Sequence, residues 1–144
     1  MHVLFDTSVY ITALRRGGET FLRTKEPRAS ISLWLSAVVL EELYAGATAR
    51  DRHAVERLER DFDRASRVLL PNLSDWTQAG KMLSAIASKY GYEKIGRGRL
   101  TNDALIAASA GRTGVTVITS NKRDFEKLAE FGAFPWHLSS TLLP

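Results

Sequence analysis

Short apolar runs alternate with longer segments of helical periodicity along the whole chain. The runs that predict strands are residues 3–5, 31–35, 68–70, 115–119 and 134–138. The segments that predict helices are residues 8–14, 37–45, 49–65, 75–90, 102–110 and 121–131, with a further helical turn over 19–25. Alternation of strand and helix predicts an α/β fold, with a mainly parallel sheet of four to five strands and helices on both faces.

Residues that favour helix ends support these boundaries. The predicted N-caps are Ser36, Ser74, Thr101 and Asn121, and Gly46 is the predicted C-cap of the second helix. In the helix over 75–90, the predicted buried stripe is Ala79, Met82, Leu83, Ile86 and Ala87. Residues 91–99 contain three glycines and three basic residues, which predicts a loop.

Four acidic residues stand where an apolar run gives way to a turn or a helix: Asp6, Glu42, Asp103 and Asp124. Ligands of parallel sheets bind beyond the carboxyl ends of the strands, and three of these acids fall at such ends. Asp103 opens a helix so apolar that it must be largely buried. Clustered carboxylates repel one another unless a cation lies between them, and an all-oxygen site suits Mg²⁺ or Mn²⁺. Such ions are widely used to break phosphodiester bonds.

Each acid also has a purely structural alternative. Asp6 can cap the first helix, although Thr7 and Ser8 are also available as caps. Glu41 competes with Glu42, because adjacent helical residues point about 100° apart and only one can face a common site. Periodicity alone does not choose between them.

The other two acids have alternatives in helix termini. Asp103 can offset the dipole in the first turn of its helix. Asp124 can bond back to the start of its helix, as in a capping box with Asn121. Thr119 and Asn121 offer neutral oxygens that could hold a metal-bound water.

Composition narrows the functional classes. With 144 residues, 44% of them hydrophobic, residues 1–144 should form one domain with a proper core. The chain has no cysteine, which excludes disulfides, thiolate nucleophiles and cysteine-based zinc sites. No basic leader precedes the first apolar run, and no apolar stretch approaches the roughly 20 residues of a membrane span. We therefore expect a soluble cytoplasmic protein.

The chain carries a net charge of +4. A basic protein with an acidic pocket suits a polyanionic substrate, although +4 is equally compatible with an ordinary solvated surface. The candidates for gripping a nucleic-acid backbone are Arg15, Arg16, Arg97, Arg99, Lys122 and Arg123. Trp34, Tyr44 and Tyr92 are candidates for base stacking, whereas Trp76 is predicted to lie in the core.

Four sequence blocks in this order resemble a PIN-domain protein, specifically a VapC-type toxin ribonuclease of a type II toxin–antitoxin system. They are Val-Leu-Phe-Asp-Thr-Ser at 3–8, Ser36 to Gly46, Asn-Asp-Ala-Leu-Ile-Ala at 102–107, and Val-Ile-Thr-Ser-Asn at 117–121 with Asp124-Phe125. The resemblance covers almost the whole chain. The family places the second acid directly before Leu, which selects Glu42. The family often has an acid where this chain has Asn121, so Asp124 is the nearest carboxylate for the fourth position.

The resemblance implies a PIN fold and an endoribonuclease dependent on Mg²⁺ or Mn²⁺, acting on structured RNA such as tRNA. It implies a VapB-like antitoxin as partner, a homodimer, and operator DNA bound only through the antitoxin complex. Asp6, Glu42 and Asp103 are expected to hold one metal ion, assisted by Asp124. Thr7, Thr119 and Asn121 are assigned supporting positions.

Other classes fit less well. A phosphotransferase of the Asp-x-Asp type would need a second acid where Ser8 stands, and a receiver domain would need an acid after the third strand, where Pro71-Asn72 follows. The remaining alternative is a catalytically weak PIN-like domain that serves as an RNA- or protein-binding module. Asn121 is the residue that favours this alternative.

Overall fold

The computed structural model describes residues 1–16, 31–91 and 99–141, without the side chains of Arg99 and Thr141. The helical turn predicted over 19–25 and most of the loop predicted over 91–99 lie outside these residues. Arg97, Tyr92 and the guanidinium group of Arg99 lie outside them as well.

A five-stranded sheet forms the centre of the fold. Its strands are β1 (His2–Phe5), β2 (Ser32–Ser36), β3 (Val68–Leu69), β4 (Thr116–Thr119) and β5 (Trp136–Leu138). They lie in the order β3-β2-β1-β4-β5, and every neighbouring pair is parallel. In the register, Leu4 of β1 lies between Trp34 of β2 and Val117 of β4. The prediction of a parallel α/β sheet is confirmed.

Helices connect the strands. They are α1 (Thr7–Arg15), α2 (Ala37–Gly46), α3 (Ala49–Arg64), α4 (Leu73–Tyr90), α5 (Arg99–Thr113) and α6 (Lys122–Ala129), and a short 3₁₀ turn covers Ser139–Thr141. Within the described ranges, none of these helices has the length and apolar character needed to cross a membrane.

The structure confirms two of the predicted N-caps and corrects a third. Ser36 accepts the Val38 N–H, and Asn121 caps α6. The cap of α4 is Asn72 instead of Ser74. Asn72 Oδ1 accepts the Asp75 N–H at 3.0 Å, and Asp75 Oδ2 accepts the Asn72 N–H at 2.9 Å, which completes a capping box.

Two further helix ends differ from the prediction. Helix α5 begins at Arg99, so Thr101 lies within the helix and Asp103 lies in its second turn. The first-turn dipole role suggested for Asp103 is therefore wrong, because the unpaired N–H groups of a helix belong to its first turn. Gly46 is the last residue of α2, and Ala47 is the C-cap.

The core lies between the sheet and the helices, with α5 at its centre. Residues 103–110 of α5 are all buried. The predicted stripe of α4 is buried except for Leu83, which is half-buried. Trp76 was predicted to lie in the core, and this is wrong: it is 57% exposed. The capping box turns Asp75 toward the core, so the next side chain along the helix points about 100° away.

An ion pair between the buried Asp75 and the exposed Arg112 joins the start of α4 to the end of α5. Asp75 is buried, and its carboxylate accepts hydrogen bonds from both Nε and Nη2 of Arg112, at distances of 2.9 to 3.0 Å. Nη2 of Arg112 also donates to the Leu70 carbonyl at 3.2 Å. The bidentate geometry and the capping box satisfy the Asp75 carboxylate, which makes this pair part of the packing of α4 on α5.

Candidate active site

Asp6 lies at the carboxyl end of β1, in the middle of the sheet. Its N–H donates to the Ile118 carbonyl at 2.9 Å, which extends the pairing of β1 with β4. Its carboxylate is 2% exposed, and Oδ1 accepts the Val9 N–H at 3.4 Å as the N-cap of α1. The capping role considered for Asp6 is therefore real. This capping bond is weak, because 3.4 Å is long for a hydrogen bond from an N–H group to an oxygen, and it involves only Oδ1.

Two hydroxyl groups fix the orientation of the Asp6 carboxylate. Ser8 Oγ donates to Oδ1 and Thr119 Oγ1 donates to Oδ2, each at 2.5 Å. Thr119 is buried and accepts the Asn121 N–H at 2.9 Å, while Ser8 accepts the Ser120 N–H at 3.1 Å. Backbone N–H groups directly after β4 thus donate hydrogen bonds to both hydroxyls and fix their positions. A carboxylate has about four acceptor positions, so Asp6 keeps the capacity to bind a further group.

Glu42 is the second acid in this neighbourhood. Thr7 Oγ1 donates to Glu42 Oε1 at 2.8 Å, and the side chain of Asn102 on α5 also bonds to Glu42. Asn102 Nδ2 donates to Glu41 Oε2 at 3.2 Å. Glu41 is exposed, whereas Glu42 is half-buried and near enough to Asp6 for their charges to interact. This geometry favours Glu42 over Glu41 as a site residue.

Burial destabilises the negative charge on both acids. It raises the pKa of Asp6 above its ordinary value, although the hydrogen bonds from Ser8 and Thr119 act in the opposite direction. Burial likewise raises the pKa of Glu42, and the nearby charges of Glu41 and Asp6 raise it further. A positive charge placed between Asp6 and Glu42 would relieve this cost.

The other two predicted acids lie on neighbouring helices. Asp103 is 6% exposed and follows Asn102 on α5, which packs against α2. Asp124 is half-buried on α6. Asn121 Nδ2 donates to Asp124 Oδ2 at 2.9 Å, and Asn121 Oδ1 accepts the Asp124 N–H at 3.4 Å. The local contact expected between Asn121 and Asp124 is present, and Asn121 connects Asp124 to Thr119.

The donors suit a hard cation, although they do not surround a single point. In the part of the chain that the structure describes, no three acidic or histidine side chains lie close enough together to enclose a metal ion. Asp6 and Glu42 instead each bind neighbouring hydroxyls. Carboxylate oxygens are nevertheless the ligands that Mg²⁺ and Mn²⁺ prefer. The chemistry of the donors therefore fits such an ion.

Basic side chains lie at different distances from this site. Lys122 and Arg123 are exposed at the start of α6, directly after Asn121. Arg15 and Arg16 are exposed at the far end of α1, roughly 14 Å along the helix from Asp6. Of the described candidates, Lys122 and Arg123 are therefore the two that directly follow a residue hydrogen-bonded to Thr119, which itself donates to Asp6.

Sequence reasoning did not assign Ser8 and Asn102 to the site. Ser8 was considered only as a helix cap and Asn102 only as a helix start. The available signal was their position beside the acids: a hydroxyl two residues after Asp6, and an amide directly before Asp103.

Comparison with known protein families shows to which family the chain belongs. The family model described as PIN domain matches residues 3–131. The chain belongs to the PIN-domain family. No curated protein sequence matches it significantly.

Solved structures share the fold of this PIN domain over almost its full length. VapBC-1 from nontypeable Haemophilus influenzae is 22% identical, with 95% of this chain and 97% of that chain covered and a TM-score of 0.62. DNA-bound VapBC from Salmonella typhimurium is 21% identical, with 96% of this chain and 98% of that chain covered and a TM-score of 0.64. FitAB bound to an IR36 DNA fragment is 20% identical, with 96% of this chain and 94% of that chain covered and a TM-score of 0.63. At these identities the likeness concerns the fold.

Proposed function

We propose that this PIN domain is a metal-dependent endoribonuclease and the toxin of a toxin–antitoxin pair. The observation that carries the proposal is the buried Asp6 carboxylate, which two hydroxyls orient beside Glu42 at the carboxyl end of β1. Family membership and the position of Asp6 at the ligand-binding edge of a parallel sheet support it.

Asp6, Glu42 and Asp103 would hold one Mg²⁺ or Mn²⁺ ion, with Asp124 in a supporting position. When bound, such an ion polarises the scissile phosphate of RNA and makes water more acidic. The chain itself supplies rigidity: Thr119 and Ser8 orient Asp6, and Thr7 orients Glu42. The proposal requires no side chain as a covalent nucleophile.

RNA would meet the protein mainly through its backbone. Lys122 and Arg123 would contact phosphates, which positions the substrate without reading its sequence. Trp34 does not suit base stacking at this site. Its Nε1 donates to His2 Nδ1 at 3.1 Å, at the amino end of β1, whereas Asp6 lies at the carboxyl end. A structured RNA such as tRNA is the proposed substrate.

The proposed partner is a VapB-like antitoxin, because the structures that share the fold include VapBC and FitAB assemblies. A basic side chain of the antitoxin placed between Asp6 and Glu42 would offset the burial and the charge repulsion that raise the pKa of Glu42. Operator DNA would be bound only through the antitoxin complex. The toxin is proposed to be a cytoplasmic homodimer.

A catalytically weak domain that binds RNA or a protein is the second candidate. Asn121 favours it, because this neutral residue stands where the family often has an acid, and its side chain is engaged with Asp124. Such a domain should bind divalent ions weakly or not at all.

A calorimetric titration with Mn²⁺ separates the two candidates. For the nuclease we expect one site, with an affinity at least about tenfold lower in Glu42→Gln than in the wild type. The matched control is Glu41→Gln, whose carboxylate is exposed, and its affinity should stay within about twofold of wild type. Equal loss in both variants, or no Mn²⁺ binding by the wild-type protein, would favour the binding module.

Thr119→Val should weaken the site without changing any proposed metal ligand. Valine keeps the shape of threonine and removes the hydroxyl that bonds to Asp6 Oδ2. We expect Mn²⁺ affinity and RNA cleavage to fall about 10- to 100-fold, as for other residues that orient metal ligands. Thr119→Ser retains a hydroxyl and should recover most of both. Wild-type Mn²⁺ affinity in Thr119→Val would show that this hydroxyl does not orient Asp6.

A further inference from the structure

Most of the arginines of helix α3 lie in one row along the helix. The helix contains five arginines and no lysine. Four of the five follow one another at intervals of seven, three and four residues, which keeps them within about 80° of the helix surface. These four, the arginine row, are Arg50, Arg57, Arg60 and Arg64. His53 lies in the same row, between Arg50 and Arg57.

The acids of α3 lie mostly on a different side of the helix. Glu56, Glu59 and Asp63 follow one another at intervals of three and four residues and form a second row beside the first. Tyr44 of α2 donates to Glu59 Oε2 at 2.6 Å, so the acidic row is attached to the helix that carries Glu42. The five arginines and five acids of α3 therefore cancel in total charge but are separated across its surface.

The charge of the arginine row is exposed and available. Arg50, Arg60 and Arg64 are exposed, and Arg57 is half-buried. Over residues 1–16, 31–91 and 99–141, no carboxylate forms an ion pair with Arg50, Arg60 or Arg64. Guanidinium groups of one sign, aligned and without partners, produce a positive potential along the helix that attracts a polyanion.

We propose that the arginine row binds the sugar–phosphate backbone of the substrate RNA, outside the site around Asp6. The paired N–H donors of arginine match the geometry of phosphate, which makes arginine better suited than lysine to this contact. The row extends its charges over about 20 Å of helix, and a nucleic-acid strand offers phosphates at regular intervals along such a line. This inference rests on the proposed function, because it takes RNA as the substrate.

The composition of the surface favours RNA over a protein as the occupant. The exposed residues of α3 include no large apolar side chain. The centre of a protein interface is depleted in charged residues and enriched in apolar and aromatic ones, so α3 offers a protein partner little to bury. Contacts to nucleic-acid phosphates, in contrast, are made mainly by charged and polar groups.

The row begins near enough to the site for one RNA to contact both. Glu42 and Arg50 are eight residues apart, and residues 42–46 are helical, so the two Cα atoms are at most about 20 Å apart. Ten base pairs of a duplex already extend roughly 30 Å. A structured RNA positioned at Asp6 can therefore reach the arginine row as well as Lys122 and Arg123.

Binding of fluorescently labelled tRNA to the full chain, measured by anisotropy in EDTA, tests the inference without cleavage. We expect Arg60→Gln/Arg64→Gln to lower RNA affinity at least roughly tenfold at about 50 mM NaCl. The slope of log affinity against log salt should become shallower by about 1.5, because two phosphate contacts are lost. Both side chains are exposed and glutamine favours a helix, so the thermal unfolding midpoint should match that of the wild type.

The matched control removes the same charge outside the row. Arg52 and Lys81 are both exposed, and Arg52 lies on the side of α3 that faces Tyr44 with Glu56 and Glu59. In Arg52→Gln/Lys81→Gln the slope should change by less than about 0.5 and the affinity by less than about threefold.

Asp61→Asn should act in the opposite direction. Asp61 is exposed and borders the row, four residues after Arg57 and three before Arg64. Removal of its negative charge should raise RNA affinity about two- to fourfold at the same salt concentration. Such a gain would not result from damage to the fold.

Three results would overturn the inference. They are an unchanged salt slope in Arg60→Gln/Arg64→Gln, an equal fall in both double variants, and competition by polyglutamate as strong as by unlabelled tRNA at equal charge. The last result would assign the row to acidic proteins. Metal-dependent cleavage with RNA binding that is indifferent to the row would refute only this inference. RNA binding that depends on the row, in a protein that never cleaves RNA, would refute only the nuclease.

Discussion

Asp6→Asn is expected to lower kcat/KM for RNA cleavage by at least about 10³-fold, because it removes the charged ligand at the centre of the proposed metal site. Asparagine keeps the size of the side chain, and its Oδ1 can still accept from Ser8. The backbone pairing of residue 6 with Ile118 also remains. The effect on activity should therefore come from the lost charge and not from misfolding. Single-turnover cleavage with saturating Mg²⁺ measures it.

The same variant should be at least as stable as the wild type. Burial raises the pKa of Asp6 in the folded protein, so the ionised form opposes folding at neutral pH. The stability linked to Asp6 is fully present below its unfolded-state pKa, and is lost as pH rises through the raised folded-state value. We expect the free energy of unfolding of Asp6→Asn to equal or exceed that of wild type at pH 7.5. The difference should shrink in acid. A variant destabilised by more than about 1 kcal/mol would show that Asp6 serves the fold first.

Gly111→Ala is expected to destabilise the protein by about 3 kcal/mol. A Cβ atom at this position would lie only 2.4 Å from the Ala133 carbonyl oxygen and 3.3 Å from Phe134 Cβ. The first contact is with backbone, and the following Phe134 ring packs against Phe125 in the core, at 6.1 Å between ring centroids. The chain before β5 therefore cannot move away easily. Urea unfolding of the variant and the wild type measures the loss.

Gly46→Ala is the matched control for this substitution. Gly46 ends α2, is exposed, and has nothing within 4 Å of the position of an added Cβ atom. There the same change should be neutral or stabilise the protein by about 0.5 kcal/mol, because alanine favours the helix. An unchanged urea midpoint in Gly111→Ala would mean that α5 and residue 133 can separate at little cost.

Local sequence rules predicted most of the fold and, within the site, the contacts between residues close in sequence. Alternating apolar runs and helical segments were sufficient for the five parallel strands and the helices between them. Asp6 at the end of β1 and the contact of Asn121 with Asp124 also follow from residues close in sequence. Glu42 lies near enough to Asp6 for their charges to interact, which agrees with the family resemblance in favouring Glu42 over Glu41.

Contacts between distant residues could not be predicted in this way. Thr119 was considered as a neutral oxygen that could hold a metal-bound water, and the bond from its hydroxyl to Asp6, 113 residues away, was not predicted. Asp75 and Arg112 are 37 residues apart, and nothing near either one predicts their pairing. Trp76 was misplaced because a large aromatic side chain is usually buried, and only the packing of α4 shows which side faces outward.

Cleavage of total tRNA by the wild-type protein, freed of any antitoxin, tests the central claim most directly. Asp6→Asn is assayed beside it, and each protein is incubated with Mg²⁺, with Mn²⁺ or with EDTA. We predict discrete RNA fragments that require the metal ion and disappear in Asp6→Asn. Absence of metal-dependent cleavage by the wild-type protein would contradict a nuclease and favour the binding module. Equal cleavage by both proteins would show that Asp6 is not the centre of the active site.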